Sequence, residues 1–377
     1  MTATERPLAL DPEPPGLPDP SGGWSVALRE VEGAVVLPPE ESALSQPCGV
    51  RDAQGAWVPE SAMYRSGRVT NSAPPAAEAA ETLEGRHLYA GQFWVHFGHF
   101  LCESTARLWP DPSDLDGIVF VPKRPARNVE PLGWQRDFLA AAGLGHLPVR
   151  ILKAPTRVER LVVPGQGFGL GPIARGTAPM HDFARRLAGR VRPAERSGPL
   201  YLSRTGLGGR EGGALLEDVL EENLAASGYE IYHPQEHPLA EQLARYRTAE
   251  RVVGLDGSAL HLYGFAAPEG ARVGIVLRRS SRAWENIGRQ LEGFGGIDPV
   301  AIDAVESEWA PESAGFGDRQ SWGHLSFERL REGLVAGGLI EEGAPWRVPS
   351  FREGKRAAMA VGRARGEPMK RRKRRPE

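Results

Sequence analysis

The chain has 377 residues, 41% of them hydrophobic and 25% charged, with a formal net charge of −2. This is the composition of a soluble globular protein long enough for two domains. Two cysteines, Cys48 and Cys102, exclude a disulfide framework or a thiolate metal site, and no apolar run is long enough to cross a bilayer.

The charge is unevenly placed. From Phe351 onward there are 11 Lys+Arg against 3 Asp+Glu, a net of +8, which leaves −10 for the rest. The opening MTATERPLALDPEPPGLPDP lacks the charged-then-apolar pattern of a secretory signal. The expectation is a cytoplasmic protein. Residues 1–23 are proline-rich and acidic and are expected to form a disordered arm.

Residues 24–70 carry the strand-like pieces WSVALREV, AVVLP, AWVP and MYRSGRV, a β-rich lead-in rather than a parallel sheet. Residues 71–84 read as an Ala/Pro/Glu connector. The stretch GQFWVHFGHFLCESTARLWP then has helical periodicity: Phe97, Phe100, Leu101, Ser104 and Leu108 on one side, and His99, Glu103 and Arg107 as a polar stripe on another. Pro110 ends it. A histidine with a carboxylate one turn away is a candidate general base held and tuned by its neighbour. The competing reading is an ordinary i,i+4 pair at a domain interface.

GIVFVP (117–122), LPVRILK (147–153) and VERLVVP (158–164) predict buried strands, and 134–142 a helix between the first two. GQGFGLG at 165–171 lacks the G-x-G-x-x-G spacing, and no acidic residue follows at a strand end, so a flexible interdomain loop is expected there rather than a dinucleotide site. Residues 179–191 predict a helix, and the domain boundary is placed after it. The domains are then 24–190 and 191–350, with residues 351–377 as a basic disordered tail.

Residues 199–261 are the most informative. PLYLS, YEIYHP and RVVGL predict strands, and the segments beginning at Leu216 and Leu239 predict helices between them. Polar residues follow each strand: Ser203, Arg204 and Arg210 after the first, and Asp256-Gly257-Ser258-Ala259 after the third. In an open α/β sheet that edge is where ligands bind. Arginine forks match phosphate oxygens, helix N-termini add N–H donors, and glycine admits close approach. Surface arginines beside an ordinary turn is the other reading. ARVGIVLRR predicts a further strand ending in two arginines, with Trp284, Glu285 and Asn286 beyond it.

YLSR with a following arginine, the helix glutamate, G-Y-E, the E-Q-L-A helix and V-V-G-x-D-G-S-A-L together resemble glycosyltransferase family 61, over Phe93 to Leu277. That family's late motif is usually G-x-H-G-A-x-L, so Asp256 stands where histidine is usual and Ser258 where alanine is. The 97–108 stretch resembles the family's early motif. The resemblance implies a GT-B-like α/β fold of two Rossmann-like domains facing a cleft. It also implies an inverting hexosyl- or pentosyltransferase that needs no metal and no cofactor beyond a nucleotide-sugar donor. The acceptor would be a glycan or lipid-linked glycan in capsular or other cell-surface polysaccharide biosynthesis.

Under that reading Ser203, Arg204 and Arg210 hold the diphosphate, Gly257, Ser258 and Ala259 form the close-approach turn, and His99 is the base oriented by Glu103, with Asp256 as rival base. Two other classes stay open. One is an inactive family-shaped binding or scaffold subunit, suggested by Asp256. The other is a different Rossmann-type enzyme with a nucleotide cofactor. Metal-ligand spacings are missing: His233 and His237 stand four apart, but Pro234 and Pro238 forbid one continuous helix. The basic tail is expected to touch anionic membrane at its inner face rather than nucleic acid.

Overall fold

The computed structural model describes residues 8–14, 23–65, 67–125, 130–195, 198–208 and 211–374. Two compact units divide the chain: Ala9–Arg192, and Pro193–Glu377 with Met1–Leu8. Both are mixed α/β.

In the first unit a six-stranded sheet holds β1 (Leu28–Leu37), β2 (Gly49–Arg51), β3 (Glu81–Phe93), β4 (Gly117–Pro122), β5 (Val149–Ile151) and β6 (Thr156–Pro164). The order is β2-β1-β6-β3-β4-β5. Strands β6, β3, β4 and β5 run parallel, while β1 lies antiparallel to β6 and to β2. Helices α1 (Gly133–Ala141) and α2 (Ala178–Arg190) cover it. All six residues of β4 are buried, as expected of a central parallel strand.

The lead-in therefore differs from its sequence reading. WSVALREV and AVVLP supply one strand that joins the main sheet, because Val31, Ala34 and Val36 find an apolar core shared with Val158, Leu161 and Val163. The supposed connector 71–84 already contains the start of β3. The 165–171 segment is no flexible interdomain loop. It lies inside the first unit with residues 165–170 all buried, Gln166 bonded to the backbone of Tyr64 and of Phe168, and Gly165 N donating to Ala27 O. Of the expected disordered arm, residues 8–14 are described: Asp11 N donates to Pro172 O, and Glu13 accepts from Ala178 N. The rest of the arm lies largely outside the described residues.

The helix expected over residues 97–108 is shorter. A turn at Phe97–His99 widens into a π-helix, Phe100–Ser104, and ends there. Ser104 Oγ donates to Gln92 O and accepts from Trp94 N, which ties the widened turn to the end of β3. Beyond it the chain turns Arg107 inward rather than along a polar stripe. Arg107 is 1% exposed and donates to the carbonyls of Glu60, Ala62 and Pro164. Burial pulls its pKa down to about 10, so it stays charged at neutral pH.

In the second unit β7 (Leu200–Leu202), β9 (Glu230–Tyr232), β10 (Arg251–Leu255), β11 (Arg272–Val276) and β12 (Asp298–Ile302) form an all-parallel sheet in the order β9-β7-β10-β11-β12. β8 (Gly213–Ala214) lies outside it. The intervening helices are α3 (Glu217–Ala226), α4 (Leu239–Tyr246), α5 (Ala259–Ala266) and α6 (Trp284–Gly293). This is the doubly wound order whose switch point lies between its first and third strands, here β7 and β10. α5 is buried along its whole length past Ala259, which suits a crossover between two core strands.

A second, four-stranded sheet follows in the order β8-β14-β13-β15, with β13 (Val305–Pro311), β14 (Trp322–Leu325), helices α7 (Phe327–Ala336) and α8 (Phe351–Arg365), and β15 (Met369–Lys373). The basic tail is thus a helix and a strand, not disordered through residue 374. Ser350 and Glu353 form a capping box that starts α8. β15 pairs along β13 from Lys373 to Met369, and three arginines at this end find partners: Arg372 in Glu308 at 3.0 Å, Arg374 in Asp303 at 2.7 Å, and Arg371 in the ring of Phe351 at 4.8 Å. No helix among the described residues is long and apolar enough to cross a membrane.

Replacing Arg107 by methionine keeps bulk but strips three buried carbonyls of their donor. The expected loss is about 3–5 kcal/mol of stability by urea unfolding. A loss below about 1 kcal/mol contradicts this anchoring role.

Candidate functional site

The C-terminal ends of three neighbouring parallel strands converge in the second unit. β7 leads into Ser203 and Arg204, β10 into Asp256-Gly257-Ser258, and β11 through Leu277 into Arg278 and Arg279. A parallel sheet sends all its strand ends to one edge, so residues far apart in sequence meet there without any local signal.

Asp256 is the centre of this group, 3% exposed. Arg278 Nε lies 2.7 Å from its Oδ1 and donates to its backbone carbonyl at 3.3 Å, and Arg279 Nε lies 3.5 Å from Oδ2. Arg278 is further held by the carbonyls of Ser321 at 3.2 Å and Arg319 at 3.4 Å. Burial pushes the Asp256 carboxyl up against the opposing pull of Arg278, Arg279 and Arg204, and pulls Arg278 down to about 10. Three arginines and one aspartate give this edge a formal surplus of two positive charges. Such a surplus in a water-poor place attracts anions strongly.

Arg204 crosses Gly257. A Cβ on Gly257 would sit 2.9 Å from Arg204 Nη1, so any side chain there displaces the guanidinium. Arg204 Nη2 donates to the carbonyls of Glu211 at 3.2 Å and Gly212 at 3.4 Å, while its buried Nε has no hydrogen-bond partner among the described residues. Ser258 is the N-cap of α5, which begins at Ala259, and no side chain caps that helix end. The Asp256–Ala259 turn thus joins a free helix start to the arginine group, the pairing that receives phosphates elsewhere.

Ser203 is engaged otherwise. Its hydroxyl donates to Glu221 and lies 3.0 Å from Thr205 Oγ1, so its one hydrogen serves the loop. Arg210 lies outside the described residues. Arg278 and Arg279 were not among the site residues drawn from the sequence, although the rule that singled out Arg204, polar residues just past a strand, applies to them equally.

Glu217 supports the group from below. Leu216, in the left-handed region at φ 61°, turns the chain so that α3 starts with Glu217 buried under the loop. A leucine there is strained and must be held by its surroundings. Glu217 Oε1 accepts from Arg204 N at 2.7 Å and Tyr201 Oη at 3.0 Å.

A second cluster stands in the first unit. His99 Nδ1 bonds Glu103 Oε1 at 2.6 Å, and Arg65 grips the same carboxylate through Nε at 2.9 Å and Nη2 at 2.6 Å. Trp94 stacks on the His99 ring at 4.5 Å and 21°, and Arg65 and Lys123 lie over the Trp94 ring. About a third of the His99 side chain is exposed, against 11% for Glu103. With Nδ1 fixed and the ring clamped, Nε2 is presented for proton transfer, the arrangement of an oriented histidine base. Arg65 was invisible in the sequence, since it stands 38 positions from Glu103 and comes close only through tertiary folding. The third residue of the supposed stripe, Arg107, belongs to the core.

The Glu217 carboxyl, pushed by burial up to about 7 from an ordinary 4.5, makes stability pH-dependent. The folded state holds this proton more tightly than the unfolded state. Its contribution is therefore complete below pH about 4.5 and is lost as pH rises to about 7. Glu217→Gln keeps a carbonyl acceptor for Arg204 N and Tyr201 but cannot ionise. Relative to wild type it is expected to gain stability from pH 4.5 to pH 8, by on the order of 3 kcal/mol in urea unfolding. A difference independent of pH contradicts this.

Comparison with known families gives one match, to the family described as Glycosyltransferase 61, over residues 97–274. No curated protein matches the chain. The matched stretch opens on the turn that carries His99 and Glu103, contains Ser203, Arg204 and the Asp256–Ala259 turn, and closes within β11. Residues 97–274, a little under half of the chain, match glycosyltransferase family 61, and the match supports a glycosyltransferase.

Proposed function

We propose that the protein moves a hexosyl or pentosyl group, with inversion, from a nucleotide-sugar donor to a hydroxyl of a glycan or lipid-linked glycan in cell-surface polysaccharide biosynthesis. In this reading the two units act as the halves of a GT-B-type enzyme. The donor belongs to the 193–377 unit and the base to the 9–192 unit. The observation that carries it is the delivery of Arg204, Arg278 and Arg279 by adjacent parallel strands to one edge, beside the uncapped start of α5.

The chemistry follows from the charges. The acceptor oxygen attacks the anomeric carbon while the bond from that carbon to the diphosphate oxygen breaks. The acceptor proton passes to His99 Nε2, and the nucleoside diphosphate departs with the bonding electrons. Charge grows on the departing diphosphate, and fixed guanidinium groups and helix-start N–H donors stabilise it. The arginine set supports a metal-independent reaction. Gly257 gives Arg204 its place over the turn, with Ser258 and Ala259 presenting the helix start, and Ser203 positions the Arg204 loop through Glu221. Glu103, itself held by Arg65, keeps His99 in one orientation.

In this reading Asp256 is not the base. Its carboxylate has 1% of its surface exposed and is enclosed by two arginines. A group so placed is poorly positioned to receive an acceptor proton. We assign it as the internal counter-ion that orders the arginines before a diphosphate arrives.

Release of nucleoside diphosphate from a panel of nucleotide sugars, with glycan acceptors and EDTA present, tests the reading. Wild type is expected to turn over one donor class. Arg204→Ala and Arg279→Ala are expected to lower kcat/KM by about a hundredfold or more. His99→Gln is expected to lower kcat by about 10²–10⁴ with donor binding unchanged. Full activity in His99→Gln and Arg279→Ala would refute these roles.

A further inference from the structure

Helix α8 presents an outer face that nothing in the transfer reaction uses. Its inner side is narrow: Gly354, Ala358 and Gly362, four residues apart, are buried against the second sheet. Gly354 sits directly over His324, and Gly362 over Met369, where any Cβ would collide or crowd. The helix is therefore pinned with one fixed side outward.

On that outward side Arg352, Lys355, Arg356 and Arg363 are exposed. None of the four has a side-chain hydrogen bond or ion pair among the described residues. At 3.6 residues per turn, Arg352, Arg356, Met359 and Arg363 fall within an arc of roughly 60° and span about 16 Å along the axis. Met359 lies at one edge of this arc, between Arg356 and Arg363 along the axis, and is 52% exposed. The one acid of the helix, Glu353, is taken up by Ser350 and Arg347 at its start. On β15 the side chains of Met369 and Arg371 point towards α8, and Lys373, two positions on, is exposed.

We propose that this face docks on an anionic lipid bilayer, with Arg352, Arg356 and Arg363 at headgroup phosphates, Lys355 on the flank, and Met359 entering beside them. Charge complementarity selects an anionic partner. The exposed methionine suits a lipid surface, where a row of cations brings an apolar side chain to the headgroup boundary. Single-stranded nucleic acid would call instead for open aromatic platforms and uncharged hydrogen-bonding side chains. The outward row has no Ser, Thr, Asn or Gln, and the ring of Phe351 is covered by the Arg371 guanidinium 4.8 Å away. The face is rigid and one-sided, so the protein adsorbs in one orientation.

The test is co-sedimentation of the full chain with vesicles of phosphatidylcholine alone and of phosphatidylcholine mixed with phosphatidylglycerol, at about 0.1 M salt. Binding is expected only to the anionic vesicles and is expected to be lost at about 1 M salt. Each of Arg352→Gln, Arg356→Gln and Arg363→Gln is expected to weaken it about fivefold, and the triple variant about a hundredfold. These positions are exposed, so circular dichroism and melting temperature should match wild type. If the triple variant does not fold, Met359→Gln alone carries the test, with an expected several-fold loss on anionic vesicles. Equal sedimentation of wild type with both vesicle types overturns the proposal. So does unchanged binding of a folded triple or Met359→Gln variant, or tighter binding of a poly-uridine RNA than of the anionic vesicles through the same residues.

Discussion

Asp256 carries one negative charge among Arg204, Arg278 and Arg279, with Arg278 Nε 2.7 Å from its carboxylate and almost no water around it. Burying a carboxylate is costly unless it is paired, and burying an unpaired guanidinium is costly as well. The residues at this edge therefore hold one another in place. The carboxylate keeps two arginines folded inward, the Ser321 carbonyl holds Arg278 from behind, and Glu217 fixes the loop that carries Arg204. Among the described residues Asp256 is the one carboxylate in ion-pair contact with these arginines, so positive charge is left over. An anion with two or more charges is the natural complement, and a nucleoside diphosphate has that form.

The second unit is readable in its sequence because its signals are local. Short apolar runs such as RVVGL alternate with helices of fixed period, and small loops leave little choice in tracing the chain. The consequence, ligand-facing residues just past the strands, led directly to Arg204 and Asp256. It stopped short of Arg278 and Arg279, which satisfy the same condition after RVGIV, a run of the same kind as RVVGL.

The first unit is harder to read because its order depends on distant pairing. β3 begins in a polar, glycine-containing segment, ETLEGRH, and becomes a central strand only because β4 and β6 enclose it. The stripe of His99, Glu103 and Arg107 looked uniform at helical spacing. A π-turn and the inward rotation of Arg107 divide it into a surface pair and a core anchor. The third member of the surface cluster, Arg65, comes from MYRSGRV, which reads as strand-like but gives no sign of which carboxylate it meets. The basic C-terminal residues depart from their compositional expectation for a related reason. Composition suggested disorder, but a capping box, a row of small residues and pairing with β13 give these residues a defined place.

The central claim, that the arginine edge of the second unit is a diphosphate site balanced by Asp256, is met most directly by thermal unfolding of wild type, Arg204→Ala and Asp256→Asn. Each would be heated with inorganic pyrophosphate, UDP and GDP, with and without EDTA. A ligand that binds only the folded state raises Tm by mass action. The account predicts a rise for wild type that EDTA leaves intact, its loss in Arg204→Ala, and a larger rise in Asp256→Asn, where the internal counter-ion is gone. No rise with any diphosphate in folded wild type would contradict it, as would a rise that EDTA abolishes.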